Sequence, residues 1–290
     1  MGTIRENLEL ETISDEDCLY HYTKCGSMVN ILRSGRFYAT KSSFLNDTNE
    51  MDYIMSVAAA VISELDNLKW RDVLMKQVVN TMEEFKRHDT FILSFSKEED
   101  SITLWSEFGE ETGYCAAFRG KKLMARISGN QDIYCHGNVI YSLKQQKEII
   151  RHLLMEEFPA KTGKTFEELM EEEISHPDSK AFLAFKKKLR KALNIYAMFF
   201  KQEEFAPERE YRFAFRNPDK KKIKFREKEG FLLPYIEIDV TGGKSGKMPI
   251  DHLTVAPKNH VDLAKKGMTQ FMDQLGYNVP IGLSRLKLRY

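Results

Sequence analysis

The sequence predicts an α+β fold: a split, mostly antiparallel β core with flanking helices and one helical insertion. It reads as a single domain over residues 1–290, with the insertion at about 143–200. Three observations carry this. Short runs rich in aromatic and β-branched residues recur along both ends of the chain. The stretch Leu143–Phe200 instead follows helical spacing. No repeat or low-complexity segment interrupts either pattern.

In chain order, Cys18–Thr23 is β-prone. Ser27–Ser34 follows, with Met28, Val29, Ile31 and Leu32 suited to a short helix closed by Gly35. Arg36–Lys41 reads as a second strand, and residues 50–87 as helical with a polar break near Asp66–Lys69. Thr90–Ser96 is a strand, Asp100–Phe108 a short helix carrying Trp105, and Gly113–Phe118 another strand. Asn138–Tyr141 ends a further one. Within the insertion, Ser179–Phe200 spaces Phe182, Phe185, Leu189, Leu193 and Tyr196 by three and four, with lysines and arginines between them. That spacing makes an amphipathic helix with a basic outer face. Strands return at 208–215, 223–226, 233–240 and 253–255, followed by a helix over about 260–275 and a last strand over 279–288.

Forty-four Lys and Arg stand against 43 Asp and Glu, a net charge of +1. This excludes a uniformly basic nucleic-acid binder and an acidic disordered tail. The sum hides unlike patches, basic at 186–191 and 220–226 and acidic at 171–173 and 203–210. Met1–Leu10 has no apolar signal core, and the uncharged run Tyr53–Ser63 is too short to span a bilayer. The expectation is a cytoplasmic protein without membrane contact. Cys18, Cys25, Cys115 and Cys135 form no CxxC pair, and the seven histidines show no ligand spacing, so no metal is expected. Gly163-Lys164-Thr165 ends like a phosphate-binding loop but has Phe158 where the first glycine belongs, and the Gly242–Gly246 run reads as a hairpin loop.

Three strand-borne polar clusters remain. His21 lies inside Tyr20-His21-Tyr22-Thr23, an otherwise apolar strand. Ser94-Phe95-Ser96 puts two hydroxyls on one strand face, because side chains alternate. Alternation along Glu208-Arg209-Glu210-Tyr211-Arg212 puts Glu208, Glu210 and Arg212 on one face, and Arg209 and Tyr211 on the other. Adjacent carboxylates repel, so such a face is either exposed or used.

These segments resemble a family. Leu19–Thr23, Ile31–Ala39, Phe44-Leu45-Asn46-Asp47 with Glu50, the Ser94–Ser96 strand with Trp105, the Phe205–Arg212 block and Ser284-Arg285 are similar to the bacterial DUF2971 family, in pieces from about residue 18 to 289. The order of the clusters also resembles the ADP-ribosyltransferase superfamily, whose split antiparallel core cradles NAD. That resemblance implies that His21 orients NAD, that Ser94 and Ser96 match its Ser-Thr-Ser strand with Phe95 in the middle place, and that Glu210 is the catalytic glutamate. Glu208 takes the upstream acidic position associated with transfer to a target. Tyr22, Thr23, Tyr38 and Trp105 are further NAD-contact candidates, each aromatic equally readable as core.

The implied activity is cleavage of the nicotinamide–ribose bond and transfer of ADP-ribose to a protein or nucleic-acid acceptor, as in a bacterial toxin or defence effector. A non-catalytic nucleotide or nucleic-acid binder on the same scaffold, and NAD hydrolysis without an acceptor, stay open. Asn46-Asp47 and Glu50 read as a loop that contacts ribose or acceptor, or else Asp47 or Thr48 is an ordinary cap of the helix starting near Asn49. The two basic runs read either as phosphate-guiding surfaces or as solvated faces.

Overall fold

In the computed structural model, residues 10, 12–14, 16–45, 50–109, 113–129, 132–243, 246–257 and 260–286 are described. Among these residues the β-prone runs form ten strands: β1 (Cys18–Lys24), β2 (Arg36–Lys41), β3 (Thr90–Ser96), β4 (Gly113–Arg119), β5 (Ile133–Asn138), β6 (Glu210–Arg216), β7 (Lys224–Lys228), β8 (Phe231–Asp239), β9 (Ile250–Val255) and β10 (Ile281–Leu283). All belong to one sheet, and every pairing is antiparallel except β9 with β10. The fold is thus mixed α and β with a mostly antiparallel sheet. No helix among the described residues is long and apolar enough to cross a membrane.

Contacts divide the chain into two compact units. The first comprises Glu9–Lys41, Thr90–Asn138 and Pro207–Tyr290, and holds the sheet. Its helices are α1 (Cys25–Ser34), α4 (Ile102–Leu104, continuing as a wider turn over Trp105–Gly109), α5 (Gly120–Ile127) and α10 (Val261–Gln274). Gly35 ends α1 at φ +65, a left-handed conformation that glycine adopts without strain. Alternation along the strands sends Leu19, Phe37, Phe91, Leu93, Phe95, Phe118, Tyr211 and Phe213 to one sheet face, where Met28 and Leu32 of α1 join the same core. A smaller cluster of Tyr22, Leu104, Trp105, Cys115 and Ala256 packs on the other face.

The second unit, Ser42–Asp89 with Val139–Ala206, is helical. It contains α2 (Tyr53–Ile62), α3 (Leu68–Lys86), α6 (Leu143–His152), α7 (Phe158–Ala160), α8 (Phe166–Ser175) and α9 (Lys180–Tyr196). The polar break expected near 66–69 is the start of α3, where Asn67 accepts from the Lys69 and Trp70 amides. Gly163-Lys164-Thr165 is the entry to α8, whose Thr165 and Glu168 form a reciprocal capping box. Phe182, Phe185, Leu189, Leu193 and Tyr196 form the buried side of α9, as their spacing requires, while Lys187 and Lys191 face solvent. Buried Gln146 ties this unit together: it donates to the Ile140 and Lys201 carbonyls and accepts from the Tyr53 hydroxyl.

Three expectations change. Among the described residues the last strand is Ile281–Leu283, shorter than the expected 279–288, of which 287 and 288 lie outside the described residues. The strand expected to end over 138–141 ends at Asn138, and Ile140 makes only an isolated bridge to Phe200. The strand expected from Glu208 begins at Glu210, because Arg209 sits at φ +43 and Glu208 closes a short 3-10 turn. Asn46, Asp47 and Thr48 lie outside the described residues, so neither reading of that loop is addressed; Glu50 opens a short turn and is buried.

Candidate active site

A strand has two hydrogen-bonding edges. Strand β6 occupies one edge of β3 along its whole length, from Thr90 opposite Arg216 to Ser96 opposite Glu210. Strands β1 and β2 must therefore share the other edge. Tyr20 of β1 pairs with Ser96 at one end, while Thr40 and Lys41 of β2 pair with Ile92 and Phe91 at the other. Between them Leu93, Ser94 and Phe95 have no strand partner on that edge. The sheet is forked there, and the described fork is bounded by β1, β2 and the middle of β3.

His21 stands at this fork. Its ring is 4.9 Å from that of Phe37 and 5.5 Å from that of Phe95, centre to centre, so it belongs to the aromatic face of the sheet. Burial among those rings pushes its pKa down from about 6.5 to about 4, and a hydrogen bond with the Ser94 backbone opposes the shift. The folded chain thus keeps His21 neutral where the unfolded chain protonates it. Between roughly pH 6.5 and 4 the unfolded state binds more protons, so stability falls as pH drops through that window and is full above it. The loss is at most about 3 kcal/mol, at about 1.4 kcal/mol per pH unit. Urea unfolding across that window is expected to show this slope, and His21→Leu to flatten it; an unchanged slope in the variant would place the proton uptake elsewhere.

Ser94, Ser96, Glu210 and Arg212 point to the opposite face. Register pairs Ser96 with Glu210 and Ser94 with Arg212, and paired residues share a face. Tyr20 continues the Ser96–Glu210 row across β1. The Glu210 carboxylate accepts from both Nε and Nη2 of Arg212, the first at 2.9 Å, and that arginine is only 1% exposed. Two residues apart on a strand, the pair meets because both side chains project from the same face.

Ser96 has a structural task as well. Its hydroxyl donates to the Glu208 carbonyl at 2.7 Å and accepts from the Glu98 amide at 2.9 Å. With the bond from the Lys97 amide to the Arg209 carbonyl, this fastens the loop after β3 to the turn before β6. Glu208 is buried in that turn, off the Glu210 face row, because the positive φ at Arg209 breaks the alternation.

Tyr22 and Trp105 lie together in the smaller core, with ring centres 4.7 Å apart in edge-to-face contact. The Tyr22 hydroxyl donates to the Glu98 carbonyl and accepts from the Ser101 amide, and burial pushes its pKa up. The Trp105 indole donates to Asp100 at 2.7 Å. Tyr38 is half-buried on β2, its ring 4.3 Å from that of Tyr235. Thr23 is half-buried opposite Tyr114 on β4. The structure therefore brings Ser94, Ser96 and Glu210 onto one face. It places His21 beside them but on the aromatic side, and engages Tyr22 and Trp105 with each other.

Two participants were not singled out from sequence. Arg212 was legible, since Glu-Tyr-Arg on a strand implies a same-face pair. Asp100 was not: besides Trp105 it accepts from the Ser284 hydroxyl and the Arg285 amide, residues far away in the chain. Among the described residues, no group of three or more His, Cys, Asp or Glu side chains is arranged to hold a metal ion.

Residues 104–213 match the model of a protein family of unknown function, DUF2971. The matched segment contains Trp105, Glu208, Glu210 and Arg212, and supports the resemblance to that family. No curated protein matches the chain. No solved structure matches it either.

Proposed function

We propose that the chain is an ADP-ribosyltransferase-like enzyme that uses NAD as a substrate. One observation carries the reading: the forked sheet sets His21, the two serines and Glu210 on three laterally adjacent strands, β1, β3 and β6. The bond that breaks joins the ribose C1′ to the nicotinamide nitrogen, which leaves with the electron pair. Positive charge then develops on the ribose, and a fixed carboxylate beside it lowers the barrier. Glu210 is that carboxylate, and Arg212 fixes its orientation. An acceptor nucleophile attacks C1′ and its proton passes to a base; Glu208 serves as that base only when the turn that buries it off the Glu210 row opens. Neutral His21 lies on the opposite face and acts by positioning β3 at the fork, through its bond with the Ser94 backbone. Tyr38, half-buried on β2 beside Tyr235, is the aromatic assigned to stack. The acceptor is a protein or a nucleic acid; transfer to water makes the same site an NAD glycohydrolase.

One observation favours a second reading. The guanidinium of Arg212 already neutralises Glu210, which suits a non-catalytic nucleotide binder. Nicotinamide release from NAD, with cell extract as the source of acceptor, separates the two. Glu210→Gln keeps a hydrogen-bond acceptor for Arg212 while removing the charge. It is expected to slow release by about 10²–10³-fold, with some loss of stability because the buried Arg212 loses its counter-charge, so release is compared well below the variant's melting temperature. Equal release by both forms, or none by the parent chain, overturns the enzymatic reading.

A further inference from the structure

The β7–β8 hairpin lies at one end of the sheet, so among the described residues β7 has β8 on one side and no strand on the other. The backbone groups on that edge follow from the turn. Glu229 and Gly230 both have positive φ, 52 and 85, as in the tight two-residue turn whose closing residues are hydrogen-bonded to each other. Here those residues are Lys228 and Phe231. Hydrogen-bonded pairs alternate along an antiparallel ladder, so Arg226 with Leu233 and Lys224 with Tyr235 are the next two. Phe225 and Glu227 fall between them and turn their N–H and C=O groups outward. Pro234, which has no N–H to give, stands opposite Phe225, in agreement with that phase.

The side chains add a pattern to this edge. Lys224, Arg226 and Lys228 project from one face and Phe225 from the other. Phe225 is 61% exposed, and its diagonal neighbour Leu232 on the same face is 65% exposed. On the cationic face Lys224 pairs with Glu237, and the Arg226 guanidinium stands near the rings of Tyr38 and Tyr235. Edge lysines keep a sheet from pairing with its own copies, because two such rows repel. The same row attracts a strand of opposite charge.

We propose that β7 is a docking edge that takes an extended segment of a protein partner as an added strand, with acidic residues alternating with apolar ones. Main-chain bonds to Phe225 and Glu227 hold the segment, its acidic side chains face Lys224, Arg226 and Lys228, and its apolar ones cover Phe225 and Leu232. The inference does not rest on the NAD reading: none of its observations involves Glu210 or His21, and Tyr38 enters it only as a neighbour of Arg226.

A fluorescein-labelled peptide of alternating glutamate and valine, titrated with the full chain, tests it by anisotropy. Saturable binding is expected, with slowed amide exchange at Phe225 and Glu227, and at least about tenfold weaker binding of the lysine–valine counterpart. Arg226→Glu is expected to weaken binding about tenfold or more. Glu227→Pro removes an outward N–H without breaking a ladder bond to β8, but it also loses the bond that the Glu227 carboxylate accepts from the Gly230 amide. It is expected to abolish binding at the melting temperature of Glu227→Ala, which loses that side-chain bond alone and still binds. Three results overturn the proposal: no saturation below ~1 mM peptide, binding indifferent to Glu227→Pro in a folded variant, or tighter binding of single-stranded oligothymidylate than of the peptide. The last would make the hairpin a nucleic-acid surface instead.

Discussion

Arg212→Met is expected to destabilise the chain by about 3–5 kcal/mol, because it breaks a largely buried ion pair by removing one of its partners. Arg212 is 1% exposed, and its planar fork grips Glu210 with two N–H groups. A lysine presents one charged point in place of that fork, so Arg212→Lys should recover little. Replacing both partners, as in Arg212→Met with Glu210→Leu, should recover part of the loss, since neither charge of the broken pair is then left behind. Urea unfolding read at unchanged slope measures each step. A single variant within ~1 kcal/mol of the parent would show that Glu210 does not depend on Arg212. The double variant also separates fold from chemistry: stability returns in part while nicotinamide release stays lost.

Trp105→Ala is expected to cost about 3–5 kcal/mol, the range for deleting a buried tryptophan. The indole is 1% exposed, packs against the edge of Tyr22 and donates to Asp100. Asp100 also holds Ser284 and Arg285, so the loss reaches the end of the described chain. Trp105→Phe keeps most of the packing and removes one hydrogen bond, for about 1–2 kcal/mol. Thermal melting of the two variants checks the order. If the phenylalanine variant were as unstable as the alanine one, the Asp100 bond rather than packing would dominate. If both matched the parent, Trp105 would not be part of the core at all.

The strands were legible where their residues are aromatic or β-branched and buried on at least one face. Thr90–Ser96 was read to the residue, since Phe91, Leu93 and Phe95 leave no other use for the segment. The basic helix was legible for the same reason, its apolar residues recurring every three or four positions. Glu208 was misplaced because one backbone angle at Arg209 decides where β6 begins, and arginine in the left-handed region carries no sequence signal. The C-terminal strand was over-extended because apolar residues near a chain end can pack singly without joining a sheet, as Leu286 does beside Tyr22 and Trp105. Asp100 was invisible because its partners come from other parts of the chain.

For the candidate site, sequence supplied the residues but not their sides. Alternation alone put Ser94 with Ser96 and Glu210 with Arg212, since a period of two is a local property of any strand. Whether those pairs face each other, and whether His21 joins them, depends on register between strands far apart in sequence. That register is set by which aromatic residues fill the core between sheet and helix. The sequence by itself therefore determined the α+β class, the amphipathic helix and the same-face pairs, because these follow from local periodicity. Only the tertiary structure decided that β6 takes one whole edge of β3, that β1 and β2 must divide the other, and that His21 enters the resulting fork from the aromatic side. A strand has just two edges, and the competition for them is settled among segments that no local pattern compares.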